Sequence, residues 1–294
     1  MTPRAWWLFA ASSVIWGVPY LFIRVAVDAG VPPGFIAWAR VTLGAALLLP
    51  FALRRDALHG LWQRGRAIAA YAACEIAVPF VLIAMGERYI SSSLTAILIA
   101  TMPLFVALLS VPLSRADKPT GLRLLGLVIG FGGVVALLGI DVAGRREELL
   151  GAALVLVATL GYAAAPIIVS RSLADLNPLG PVAASLTLSA VALLPAVVAS
   201  PPHAISASAL WAIAVLGVVC TAAGLVVFFQ LIAEAGPSRA SVITYINPLV
   251  AVLLGVVVLH EHLGPTSSVG LVLILGGSWL STGGRIPFNS ENGK

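Results

Sequence analysis

The chain has 294 residues, 60% of them hydrophobic and 10% charged, with a mean hydropathy of +1.04. A soluble domain carries about 25% charged residues, so this chain lacks the polar groups to cover a water-facing surface and is expected to be solvated by lipid. Its net charge of +5 does not point to nucleic acid, because the basic residues are spread over short loops rather than gathered on one face.

In chain order, apolar runs occupy residues 5–27, 34–53, 66–87, 91–114, 119–140, 149–171, 178–199, 207–233, 237–259 and 265–284. Each is continuous and close to the roughly 20 residues that a helix needs to cross hydrocarbon. Barrel strands would instead alternate over about ten residues. The expectation is an all-α integral membrane protein of ten transmembrane helices. The first run is too long for a signal-peptide core and reads as the first span. Turn chemistry marks the breaks: Val31-Pro32-Pro33-Gly34, Asn177-Pro178, Ser200-Pro201-Pro202, Ala235-Gly236-Pro237 and Leu263-Gly264-Pro265. None of these linkers is long enough for a folded domain.

Loop charge orients the spans. With the N-terminus inside, twelve positive residues fall on the inner side: Arg4, Arg54, Arg55, Arg64, Arg66, Arg115, Lys118, Arg123, Arg171, Arg239, Arg285 and Lys294. Four fall outside, namely Arg24, Arg88, Arg145 and Arg146, and Arg40 lies within the second span. Both termini are therefore expected on the inner side.

The chain repeats itself. Pro33, Thr42-Leu43 and Leu48-Leu49-Pro50 return as Pro178, Thr187-Leu188 and Leu193-Leu194-Pro195 at a constant offset of 145. Met102-Pro103-Leu104 matches Asn247-Pro248-Leu249 at the same offset, and Gly126 and Gly132-Gly133 match Gly270 and Gly276-Gly277 at 144. The division is into residues 1–143 and 144–294, five helices each. Five is odd, so the second repeat enters the membrane inverted. Inverted halves can exchange conformations around a central site, the basis of alternating access.

Glu75 stands near the middle of the third run. A charge there costs at least about 2.5 kcal/mol and marks a functional candidate. It either meets a substrate ammonium or a proton in a cavity, or forms a structural pair with Arg40 of the second span. Other candidates for a cavity lining are Trp16, Tyr20, Trp38, Tyr71, Tyr162, Gln230, Tyr245 and Asn247. Tyr71 and Glu75 are four residues apart and share a helix face. The cavity is expected among spans one, three, four, six, eight and nine. Trp6, Trp7, Tyr89 and Trp211 suit the interfacial belt. Pro103 and Pro248 are hinge candidates, since an internal proline removes a helix hydrogen bond. The glycines of spans five and ten suit close helix packing.

Trp16-Gly17, the Pro103 and Pro248 pair, and Leu259-His260-Glu261-His262-Leu263 before a glycine-rich last helix resemble the EamA branch of the drug/metabolite transporter superfamily. The resemblance covers about 5–284, and within that branch the chain is most similar to bacterial exporters of aromatic and other amino acids. Family members often carry Gly-Glu before the last helix of each repeat. Here Glu261 follows His260, and the first repeat has Ser114-Arg115-Ala116-Asp117. The resemblance implies a bacterial inner-membrane location.

A transporter of small amphipathic metabolites, such as amino acids with apolar side chains, suits an apolar interior with aromatics and one buried acid. A drug exporter of the same superfamily is the alternative. Carriers of sugar phosphates would place several Lys or Arg in the core, where only Arg40 and Arg24 qualify. A membrane enzyme would need clustered His, Asp, Glu or Lys at one face. His260 and His262 flank a turn and lack helical zinc spacing. A retinal-type pump would need a buried lysine, but Lys118 and Lys294 lie in a loop and at the terminus. Cys74 and Cys220 read as small buried hydrophobes. The expected partners are a small-molecule substrate and membrane lipid, with no metal, cofactor or nucleic acid, and a monomer is sufficient for function.

Overall fold

The computed structural model describes residues 1–110, 121–138 and 145–282, with the side chains of 237 and 238 left aside. The Ser114–Asp117 turn, Lys118, Arg285 and Lys294 lie outside the described residues. All regular structure among the described residues is helical. Seven helical runs are long and apolar enough to cross a membrane: Pro3–Asp28, Pro33–Arg54, Leu61–Gly86, Ser92–Ser110, Arg146–Ser172, Leu179–Ala199 and Ala207–Ala235. Three shorter apolar helices, Leu122–Leu137, Ile243–Val258 and Pro265–Ser281, fall within the expected fifth, ninth and tenth spans.

Proline and glycine punctuation divides several runs. α1 (Pro3–Gly17) ends where Pro19 cannot donate, and α2 (Pro19–Asp28) restarts at once. The Thr2 hydroxyl accepts from the Ala5 N–H at 3.1 Å and caps α1. α3 (Pro33–Arg54) is continuous. α4 (Gly65–Tyr71) runs through a π-helical segment, Ala72–Ala77, into α5 (Val78–Gly86). α6 (Ser92–Ile99) breaks at Ala100-Thr101 before α7 (Met102–Ser110). α8 (Leu122–Leu137) and α9 (Arg146–Ser172) complete the first half of the chain's helices and open the second. α10 (Leu179–Ala192) and α11 (Leu194–Ala199) follow, the latter starting just before Pro195. α12 (Ala207–Ala214), a second π-helical segment at Val215–Ala223, and α13 (Gly224–Ala235) make one rod. α14 (Pro237–Ala240), α15 (Ile243–Val258) and α16 (Pro265–Ser281) end the described chain.

The packing is that of a protein apolar on both sides. On α16, Ile274 is fully buried while Val272 is 69% exposed, and a helix that is hydrophobic all round faces neighbours and lipid rather than water. α8 lies along α16, α3 along α10, α5 along α9, and α1 along both α13 and α15. Glycine permits the α8–α16 contact: a Cβ on Gly277 would fall 2.4 Å from the Gly130 nitrogen, and one on Gly126 2.4 Å from the Ser281 nitrogen. Small residues let backbones meet, which is how helices gain dispersion energy in lipid.

Candidate functional site

Four of the expected lining residues, together with Arg40, lie around the two π segments. Tyr20 opens α2 just after the break, Arg40 is on α3, Tyr71 ends α4, Glu75 lies in the first π segment, and Tyr162 is on α9. Arg40 is within electrostatic reach of Tyr162, Tyr20 and Glu75, and Tyr162 is within reach of Glu75 and Tyr71. Trp38 packs against apolar clusters on both sides of this group. Gly161 lets α9 approach the first π segment, since a Cβ there would sit 2.6 Å from the Cys74 carbonyl oxygen. π segments in α-helices recur at functional sites because they re-aim side chains and free carbonyls.

Arg40 corrects one expectation, because it forms no ion pair with Glu75. Ion pairs among the described residues include Arg4–Glu234, Arg24–Asp28, Arg64–Asp175 and Arg145–Glu148. Arg40 Nε instead donates to Thr221 Oγ1 at 2.9 Å, and its guanidinium carbon lies 3.8 Å from the centre of the Phe80 ring. The second π segment explains this choice. It turns Thr221 toward α3, and the Thr221 hydroxyl donates to the Leu216 carbonyl at 2.9 Å, leaving its lone pairs for Arg40. The Phe80 face adds a cation–π contact. Phe80 and Thr221, ordinary residues in apolar runs, gave no signal in the sequence beyond their places beside Pro79 and Cys220.

The remaining candidates have other surroundings. Trp16 packs against Phe228 with ring centres 4.5 Å apart. The Tyr245 hydroxyl meets Thr282 Oγ1 at 3.0 Å and the Ser278 carbonyl at 3.4 Å, which turns it to α16. Asn247, with its amide nitrogen toward them, donates to the carbonyls of Ser13 at 3.1 Å and Ile243 at 2.9 Å. Gln230 is exposed on α13. Pro103 directly follows the break between α6 and α7, whereas Pro248 lies inside the unbroken α15.

At the end of the bundle away from the N-terminus, Glu261 accepts from the Ser92 N–H at 2.8 Å, Ser92 Oγ at 2.9 Å, the Ser93 N–H at 2.9 Å and Ser93 Oγ at 2.5 Å. Its carboxylate thus occupies the N-terminus of α6, where free N–H groups and the helix dipole favour an anion. Burial acts to raise the Glu261 pKa, but the hydrogen bonds from Ser93 and Ser92 outweigh it and hold the carboxyl below its ordinary range. The turn that delivers it has His260 at φ +55° and returns the Glu261 N–H to the Gly255 carbonyl at 3.0 Å. A glycine suits that left-handed position, which is the physical sense of the Gly-Glu pattern.

A fold that is helical throughout the described residues, apolar on its outer faces and carrying an arginine, a glutamate and three tyrosines inside, defines a multi-pass membrane protein. The EamA-like transporter family matches residues 4–139 and 149–283, and the chain belongs to that family. It is 30% identical over 265 residues to Protein PagO of Salmonella typhimurium, covering 84% of this chain and 82% of that one. It is 26% identical to an uncharacterized transporter of Archaeoglobus fulgidus, covering 94% of this chain and 98% of the relative. It is also 26% identical to the uncharacterized inner membrane transporter YedA of Escherichia coli K12, covering 95% and 90%. A solved protein crystal structure has the same fold at a TM-score of 0.65 and 17% identity, over 96% of this chain and 97% of that one.

Proposed function

We propose that the chain exports amino acids with aromatic or other apolar side chains, or similar small amphipathic metabolites, by alternating access across a bacterial inner membrane. Ten spans arranged as two inverted five-helix repeats, with both termini cytoplasmic, would carry the exchange. The internal cluster of Arg40, Glu75, Tyr20, Tyr71 and Tyr162 is the observation that carries this reading. A zwitterion presents an ammonium and a carboxylate together, and Glu75 and Arg40 offer one partner to each. They do so because they are not spent on one another. The tyrosines offer ring faces to an apolar side chain and hydroxyls to its polar end.

The symmetry of packing supports inverted repeats. The π segments at 72–77 and 215–223 overlap after the offset of 145, which sets Glu75 opposite Cys220. The contact of α5 with α9 has its counterpart in that of α13 with α1, and α3–α10 and α8–α16 pair across the same axis. The break before Pro103 supports bending of the fourth span.

The test is reconstitution of the purified protein in liposomes with labelled amino acids, sugars and cationic drugs. Saturable flux of aromatic or aliphatic amino acids is expected. Flux of cationic drugs without amino acids would replace this reading with drug export.

A further inference from the structure

Glu87 follows the last residue of α5 and is fully buried, and neither of its carboxyl oxygens has a hydrogen-bond partner. The acid is surrounded by charge it does not touch. On α2, Arg24 Nη1 donates to the backbone carbonyls of Glu87 at 2.7 Å and Ile90 at 3.1 Å, while its Nε is paired with Asp28 at 2.9 Å. Asp28, Glu261 and Tyr20 lie within electrostatic reach. Of the other elements packed on α5, α3 carries Arg40, turned to Thr221, and the first π segment carries Glu75. α9 carries Glu148, which pairs with Arg145 beside Tyr89. Arg88 follows Glu87 in the chain. A groove of about 280 Å³ lined by Arg24, Asp28, Arg88, Ser91, Leu259 and Glu261 opens beside this site.

An ionised carboxylate without partners in such a place would cost several kcal/mol at least. Glu261, a few residues away in space, is the contrast: it holds its charge because four donors meet it. Two acids at one end of the bundle are thus kept in opposite protonation states, a pattern that assigns proton traffic to the acid without donors.

We infer that Glu87 is a proton-binding site coupled to opening of this end of the transporter. The inference rests on the transporter reading and deepens it by naming a coupling ion. In the conformation described here, Glu87 is the neutral acid. Parting of the Glu261 cap from α6 and of Arg24 from the two carbonyls admits water. The proton then passes from the carboxyl oxygen to water, and the carboxylate left behind is met by the freed Arg24 guanidinium. Closing takes a proton back from water. Low pH therefore holds this end shut and high pH favours its opening.

The test places a cysteine at Ile90, 3% exposed in the closed end, in a chain whose Cys74 and Cys220 are alanine. Labelling by an impermeant thiol reagent reads opening and needs no substrate. A thiol labels faster as pH rises because the thiolate is the nucleophile, so the rate is divided at each pH by that of the same cysteine in the unfolded chain; one linked proton makes this ratio rise with pH, by up to about tenfold per pH unit. With Glu87→Gln, which keeps the neutral form, the ratio should be low and flat across pH. Glu87→Met is the second variant, because an unbonded neutral acid tolerates an apolar side chain of similar size. A flat ratio with Glu87 present, or an unchanged slope of the ratio in Glu87→Gln, overturns the inference. If neither variant inserts, Glu87 is a packing element and the inference also fails. A pH-dependent ratio with no flux of any solute would instead sink the transporter reading and leave the proton site.

Discussion

Four donors on one carboxylate make Glu261 the most heavily bonded acid among the described residues, and its effect on stability follows from that geometry. A half-buried anion on a helix N-terminus contributes up to about 2 kcal/mol. Its folded pKa is depressed, so this stabilisation is present above the ordinary carboxylate value of about 4.3 and is lost as pH falls through the lower folded value. Thermal unfolding in detergent should show the melting temperature dropping at acid pH in the native chain, with much less pH dependence in Glu261→Gln. His260→Gly should raise stability by about 1 kcal/mol, since φ +55° strains a residue with a Cβ. Glu75 was legible in the sequence because a charge inside an apolar run is conspicuous. Glu87 was not, because a charge at a span end is ordinary; only the surrounding packing reveals that it is sealed from water. The Arg40–Thr221 bond was illegible for another reason: it depends on where a π segment points one hydroxyl.

At the scale of elements, the long spans were readable from length and apolarity. The two π segments were not, since no residue type marks a π turn; Pro79 follows one of them, but the other contains no proline. Pro248 is the converse, an internal proline that leaves α15 unbroken. The glycine reading of α8 and α16 can be tested by contrast. Gly277→Leu puts a side chain onto the Gly130 backbone and should destabilise the protein by about 3 kcal/mol or abolish insertion. Gly132→Ala meets nothing within 4 Å and should be silent, or slightly stabilising through helix propensity. Equal effects of the two substitutions, measured by thermal unfolding, would mean that α8 and α16 do not pack through this face.

For the whole molecule, orientation is the first question. A cysteine replacing Arg145, an exposed residue, should react with an impermeant thiol reagent applied from outside intact cells, and one replacing Arg64 should not. The reverse pattern would place the termini outside and turn Glu87 and Glu261 toward the cytoplasm. The two-fold repetition, matched by the family over residues 4–139 and again over 149–283, was legible because proline and glycine spacing survives in an apolar background. The assembly of the polar cluster was only half legible, because sequence tells which side chains are polar but not which faces the helices turn inward. Tyr245 and Trp16 were expected beside Glu75 and instead meet α16 and Phe228. The central claim is that a solute passes through the cluster holding Arg40 and Glu75. Its most direct test is uptake of a labelled aromatic amino acid into liposomes by the native chain and by Glu75→Gln, at matched insertion and thermal stability. The expected result is saturable flux in the native chain and at least about a tenfold loss in the variant, the equivalent of 1.4 kcal/mol. Flux equal to the native chain at every pH tested would contradict the account.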